Sequence, residues 1–444
     1  MGRRNVPITA NGPVGQLAQA LRDLRESAGL TLRELARLIG YSHSTLSAAE
    51  RGRTPPSWAV TDAFTTGCGE SSAEWRPLWA AAVAAHNPDE VLAVAATASG
   101  LARLPSRPPG FVGRAAELKE LFTLAGAVGE DANGPPLIGV ISGLAGVGKT
   151  ALALQFAHLA AEQFADGQLF VNAQAHWPGD GPLSPREVLV RLMRALGQGF
   201  VAAGLSIEEL AGIFRRLTAG LKMLIVLDDV ANPEQIRAAI PGDGHFLVLV
   251  TSRRSLSGLV VRDGAQRVPV RGLPLDEALA LLARAAPAGA VEADPESARR
   301  LTGSCGDLPL ALRIAAYQLA AQRYRSLAEL ADAVACDRQC LDVLAVDGDE
   351  TASIRSVLSW SFRGLPPEVA RALSSIGSVE ACREAAFSLA DVADVVGRDP
   401  VRAGALLRSL TEVSLLDELG ADRYALHRLV RLYACERPRS TAVS

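Results

Sequence analysis

The chain has 444 residues, 49% hydrophobic and 21% charged, with a formal net charge of −3. That length sets a prior of about three domains. The near-neutral balance excludes a polycation, so any nucleic-acid surface has to be local.

Arginine and alanine are abundant and lysine is nearly absent, as in GC-rich bacterial genomes. Six cysteines, at 68, 305, 336, 340, 382 and 435, form no Cys-x-x-Cys pair, which predicts buried thiols in a reducing, cytoplasmic setting. The first residues lack the apolar run of a signal peptide. The Ala-rich stretch 80–104 is interrupted by His86, Asn87, Pro88, Asp89 and Glu90, so no membrane span is expected.

In chain order, Leu17, Leu21 and Leu24 recur at helical spacing, and Gly29 ends that helix. Thr31 is placed to cap a second helix, Leu32–Ile39. Gly40-Tyr41-Ser42 reads as a tight turn, and a third helix follows over 43–50. Two short helices around a glycine turn, the second small and polar on one face, follow helix-turn-helix logic. The run from Gly29 to Ser57 resembles the lambda-repressor-like, Xre-type helix-turn-helix family over about 60 residues, with Leu32 where that family often has Gln. The resemblance implies that Ser42, His43, Ser44, Thr45 and Ser47 face the major groove of DNA and that Arg51 and Arg53 approach phosphates. These short hydroxyl side chains read bases weakly. Trp58, Phe64, Trp75 and Trp79 read as core. A helical protein-interaction module is the alternative for residues 1–85.

Residues 86–110, ending in the Pro-rich Leu104–Gly110, read as a semi-rigid linker. Beyond it, Leu137-Ile-Gly-Val-Ile-Ser142 reads as a buried parallel strand. It leads into Gly143-Leu-Ala145-Gly146-Val147-Gly148-Lys149-Thr150, which fits G-x-x-x-x-G-K-[ST]. Glycines let backbone N–H groups point at phosphate oxygens, Lys149 supplies a charge for the outer phosphates, and Thr150 supplies a hydroxyl for Mg²⁺. The helix running through Ala151 presents its positive end to the anion.

Met223–Asp228 is an apolar strand ending in two carboxylates, Asp228 and Asp229. One suits Mg²⁺, and the other suits orienting or deprotonating an attacking water. Phe246–Ser252 is a further apolar strand, and Arg253 after it is placed to meet a terminal phosphate. Strands near 137, 168, 222, 246 and 266 alternate with helical stretches, which predicts a parallel sheet covered on both faces with ligand at its carboxyl ends.

These motifs in this order resemble the NB-ARC ATPases of the STAND class. The resemblance draws in Phe111-Val112-Gly-Arg114, which would wrap the adenine, and Pro309 in Leu308-Pro-Leu-Ala, which would pack on it. Trp360 lies in a stretch similar to the start of the family's winged helix. Leu426-His427-Arg428 occupies the place of the family's Met-His-Asp, whose His would bond the ADP β-phosphate.

The expected fold is thus multidomain α and α/β. It comprises a helix-turn-helix head (1–85), a linker (86–110), a P-loop NTPase domain (111–272), a helical domain (273–350) and a winged helix (351–436). The function implied is an ATP/ADP-switched transcriptional regulator with slow hydrolysis. Its partners would be DNA, further copies of itself in the ATP state and, since no 30–45-residue repeat is found, a separate sensor protein. The alternatives are a defence or signalling ATPase whose head recruits protein, and a metabolic P-loop kinase.

Overall fold

The computed structural model describes residues 12–436 except 40, 53, 55, 57, 72–73, 76–77, 80–81, 83–103, 129–133, 177–180, 197–204, 243 and 380–385. The chain forms two compact units, 1–99 and 100–444.

The first unit is all-α among its described residues: α1 (Pro13–Ser27), α2 (Leu32–Ile39), α3 (His43–Ala49) and α4 (Trp58–Gly67). Leu17, Leu21, Leu35, Leu46 and Phe64 are fully buried in one core, with Trp75 and Trp79 packed against it. Leu32 joins this apolar face. The Thr31 and Glu34 side chains cap the start of α2 reciprocally. The Arg25 guanidinium grips the Glu50 carboxylate from 2.6 and 3.1 Å, pinning α1 to the end of α3.

The second unit is built on five parallel strands: β1 (Leu137–Ser142), β2 (Gln168–Asn172), β3 (Lys222–Asp228), β4 (His245–Ser252) and β5 (Gln266–Pro269), in the order β2-β3-β4-β1-β5. β3 and β4 are buried almost throughout, because the pleat sends alternate side chains to two covered faces. Leu224 and Val226 enter one core, and Ile225 and Leu227 the other. The first of these cores continues without a break through the helices Leu275–Ala285, Pro309–Ala320 and Leu327–Ala335 into the segment 354–434. That last segment runs helix Ile354–Arg363, helix Pro367–Ser378, helix Leu389–Val396, helix Pro400–Glu412, a two-stranded hairpin (Asp417–Gly420 with Arg423–Ala425) and helix Arg428–Glu436.

Two expectations change. The stretch 104–110, expected as a linker, packs within the second unit. His158 Nε2 donates to Pro105 O at 2.8 Å, Arg313 donates to the carbonyls of Pro109 and Gly110, and Leu104 rests on the core. Those arginine and histidine donors lie far along the chain, so proline content alone does not reveal them. Of the thiols expected to be buried, Cys305 and Cys340 are, whereas Cys336 and Cys435 are exposed. Residues 86–103, Arg53 and Cys382 lie outside the described residues, as do the side chains of Ser44 and Trp58. Among the described residues no helix is long and apolar enough to cross a membrane.

Candidate functional site

The strands β1, β2, β3 and β4 end side by side at Ser142, Asn172, Asp228 and Ser252, with Asn172 in register with Asp228 and Ser142 with Ser252. The loop after β1 turns at once into the helix Lys149–Leu159. Gly146 and Gly148 take φ of +81° and +95°, where a side chain would strain the backbone. Lys149 Nζ donates to Gly143 O and Leu144 O, both at 2.9 Å. Desolvation of its ammonium, with Arg253 close by, lowers its pKa to about 7 against the pull of Asp229 and Asp228.

Asp228, 3% exposed, accepts from Thr251 Oγ1 at 2.6 Å, Thr150 Oγ1 at 2.7 Å and Asn172 Nδ2 at 3.3 Å. Burial raises its pKa, with the two hydroxyls opposing. Asp229 takes a left-handed φ of +52°. Its carboxylate is held by His176, through the backbone N–H and through ring Nδ1, each at 2.8 Å. Arg253 donates from Nη1 to Val357 O at 2.7 Å and Ser361 Oγ at 3.0 Å, and lies 5.7 Å from the Trp360 ring centroid.

These groups surround a cavity of about 450 Å³. One side is polar: Lys149, Thr150, Asp228, Asp229, His176 and Arg253. The other is apolar: Pro108, Phe111, Val112, Leu281 and Pro309. A sheet-end cavity lined by a phosphate-type loop and by apolar side chains suits a nucleotide, with phosphates on the loop and base on the apolar residues. Leu310 N donates to Gly146 O at 3.2 Å, so the segment carrying Pro309 is tied to the loop.

Phe111, Val112, Arg114, Ala145, Gly146, Val147, Gly148, Lys149, Thr150, Ala151, Asp228, Asp229, Arg253 and Pro309 all line this cavity. Arg114 does so with Nη1 on Glu117 and Nη2 on Val147 O and Arg271 O, so it braces the loop. Gly143 and His427 lie elsewhere. They line an adjoining cavity of about 590 Å³. His427 Nε2 donates to Gly306 O at 3.0 Å, and its Nδ1 accepts from Leu429 N at 3.2 Å. Both ring nitrogens are therefore used by backbone, and the imidazole presents no donor to the Lys149 cavity. Sequence reasoning missed His176, Asn172 and Thr251, although the ends of β2 and β4 were where a sheet-end ligand should sit. Among the described residues no group of three or more His, Cys, Asp or Glu is placed to hold a metal ion.

In the first unit, Ser42 Oγ accepts from Thr45 N at 3.1 Å and lies 2.8 Å from Thr45 Oγ1, so it caps α3. Ser42 and His43 are exposed, and Thr45 and Ser47 half-buried. Arg51 Nε donates to Ser47 O at 3.1 Å.

Comparison with known proteins bears on both units. Residues 16–78 match the helix-turn-helix domain family. The regulatory protein AfsR of Streptomyces coelicolor is 36% identical over 335 residues, covering 75% of this chain and 33% of that protein. AfsR of Streptomyces griseus is 37% identical over 334 residues, with the same shares. The chain thus spans about a third of the length of the curated relatives it matches. Among solved structures, the Aeropyrum pernix ORC2 protein in its ADPNP–ADP complexes aligns at 15% identity and a TM-score of 0.43, over 75% of this chain and 96% of that one. The Thermotoga maritima RuvB branch migration motor aligns at 15% identity and a TM-score of 0.34, over 75% and 99%.

Proposed function

We propose that the chain is a transcriptional regulator switched by ATP and ADP, in which the helix-turn-helix domain that residues 16–78 match is joined to a P-loop nucleotide-binding unit of the NB-ARC kind. The observation that carries the reading is Arg253. Its guanidinium lines the cavity beside Lys149 and Asp229, yet bonds Val357 O and Ser361 on the helix Ile354–Arg363. A terminal phosphate in the cavity competes for those donors. ADP, one phosphate shorter, leaves them on the helix. The difference in phosphate number thereby becomes a difference in how the C-terminal segment is held.

Lys149 and the loop amides would hold the outer phosphates, and Phe111, Val112 and Pro309 the base. Mg²⁺ fits the donor set, because Thr150 and Asp228 bring two oxygens together at the helix start, the ligand type a hard cation takes. Bound there, it would neutralise phosphate charge. Released C-terminal segments would let copies associate, and tethered heads raise DNA avidity without new contacts. On the head, Ser42, His43, Thr45, Ser47 and Arg51 are the proposed DNA face. Slow hydrolysis resets the switch. We place the divisions of the second unit near 272/273 and 350/351.

The test is mass spectrometry of nucleotide released from the purified chain and from Lys149→Ala. ADP or ATP at near one equivalent in the parent and little in the variant is expected. An equal yield from both would remove Lys149, and with it the proposed site.

A further inference from the structure

Asp229 has one side-chain partner among the described residues, His176, which lies 53 positions earlier and holds both carboxylate oxygens. The aspartate's backbone is held, since its own N–H donates to Thr251 Oγ1 at 2.9 Å and its φ is +52°. The pair faces the cavity that holds Lys149 and Arg253. An ionised carboxylate only accepts hydrogen bonds, so ring Nδ1 carries the hydrogen. Burial lowers the pKa of His176, with Arg253 and Lys149 adding to that and Asp229 opposing it. With the hydrogen on Nδ1, Nε2 carries a lone pair that no described protein group occupies.

We propose that His176 is the general base of the hydrolytic step and that Asp229 is the group that orients it. The inference rests on the nucleotide reading of the cavity. A water between Nε2 and the terminal phosphate gives its proton to Nε2 as its oxygen forms a bond to the phosphorus. The bridging P–O bond breaks, and its electron pair stays on the departing diphosphate oxygen. The imidazolium formed faces the Asp229 carboxylate and returns its proton to the phosphate product or to solvent. A carboxylate bonded to Nδ1–H fixes the tautomer that frees Nε2 and stabilises the charged ring.

The test is single-turnover ATP hydrolysis by the full chain between about pH 5.5 and 9, with ADP affinity measured alongside, for the parent, His176→Asn and His176→Ala. The Asn amide places a donor where Nδ1 sits, so it keeps Asp229 in place but offers no base. Both variants should hydrolyse at least about 100-fold more slowly, lose the rising acid limb of the parent profile, and hold ADP within about threefold of the parent. Rescue of the rate by His176→Asn but not by His176→Ala would make Asp229 the base and overturn the proposal. So would parent-like rates in both variants, a parallel loss of ADP affinity, or a parent that binds ADP but does not hydrolyse ATP. A parent that binds no nucleotide would instead sink the reading of the cavity itself.

Discussion

Arg428 donates to Asp337 Oδ1 at 2.9 Å, and the same nitrogen closes the carbonyl end of helix Leu327–Ala335 at Val334 O (3.1 Å) and Ala335 O (3.0 Å). Its other arm reaches Ser304 O at the end of helix Pro295–Ser304. A planar cation at two helix C-termini satisfies carbonyls that lack partners within the helix. The arginine standing where the family carries an acid is therefore a tie between the last helix and the helical segment.

Arg428→Ala should destabilise the second unit by about 1–3 kcal/mol, discounted because Asp337 is largely solvated. Arg428→Lys should recover less than half of that, since an ammonium cannot fork across two helix ends. Chemical denaturation of the three proteins decides it, and equal midpoints would show that the tie contributes nothing.

The sheet was legible because β1, β3 and β4 are apolar runs too short for helices, and a parallel strand buried on both faces has no other pattern. The phosphate-type loop was legible because its glycines and Lys149 are contiguous. Pairings across long separations left no local trace. His176 meets Asp229 from 53 positions away, and Arg428 meets Ser304 from 124. His427 was read from its place in a motif, which could not tell that Gly306 O would take its Nε2–H.

Asp228→Ala should weaken Mg²⁺-dependent nucleotide binding and leave metal-free binding less changed, because it removes the carboxylate that Thr150 and Thr251 converge on. Titration of a fluorescent ADP analogue with and without Mg²⁺ measures this. A variant whose Mg²⁺ dependence matches the parent would displace the metal from this pair.

Acid should loosen the second unit through His427. Burial lowers its pKa, helped by Arg428 and opposed by Gly306 O and Asp417. A protonated ring would also lose Nδ1 as the acceptor for Leu429 N. Between the folded value and the ordinary one of about 6.5, the unfolded chain binds more protons. The stability is thus present above that window and lost as pH falls through it. His176 acts with the same sign. Denaturation midpoints at about pH 7.5 and 5.5 should differ less in His427→Gln than in the parent, and an unchanged difference would show that His427 is not held neutral.

In the head, Arg25→Ala should cost about 1–3 kcal/mol, because it removes the two-armed partner of Glu50, whose side chain is 5% exposed, and leaves it Arg22 Nε at 3.7 Å. Loss of the head's cooperative melting with the second unit unaffected is the expected calorimetric result. Retention of the head transition would show that Glu50 finds water or another donor.

Arg51→Ala should weaken DNA binding on every sequence and reduce the salt slope by about one. Replacing Thr45 or Ser47 should shift sequence preference at similar salt dependence. Anisotropy across a panel of duplexes separates the two, and a sequence-selective loss from Arg51→Ala would reassign it to base contact.

The coupling of nucleotide to DNA is tested most directly by splitting one preparation between ADP and a non-hydrolysable ATP analogue and measuring its DNA affinity at a single salt concentration. Association of tethered heads predicts at least about tenfold tighter binding with the analogue, and no difference in Lys149→Ala. Equal DNA affinity in the two nucleotide states of the parent would contradict the switch.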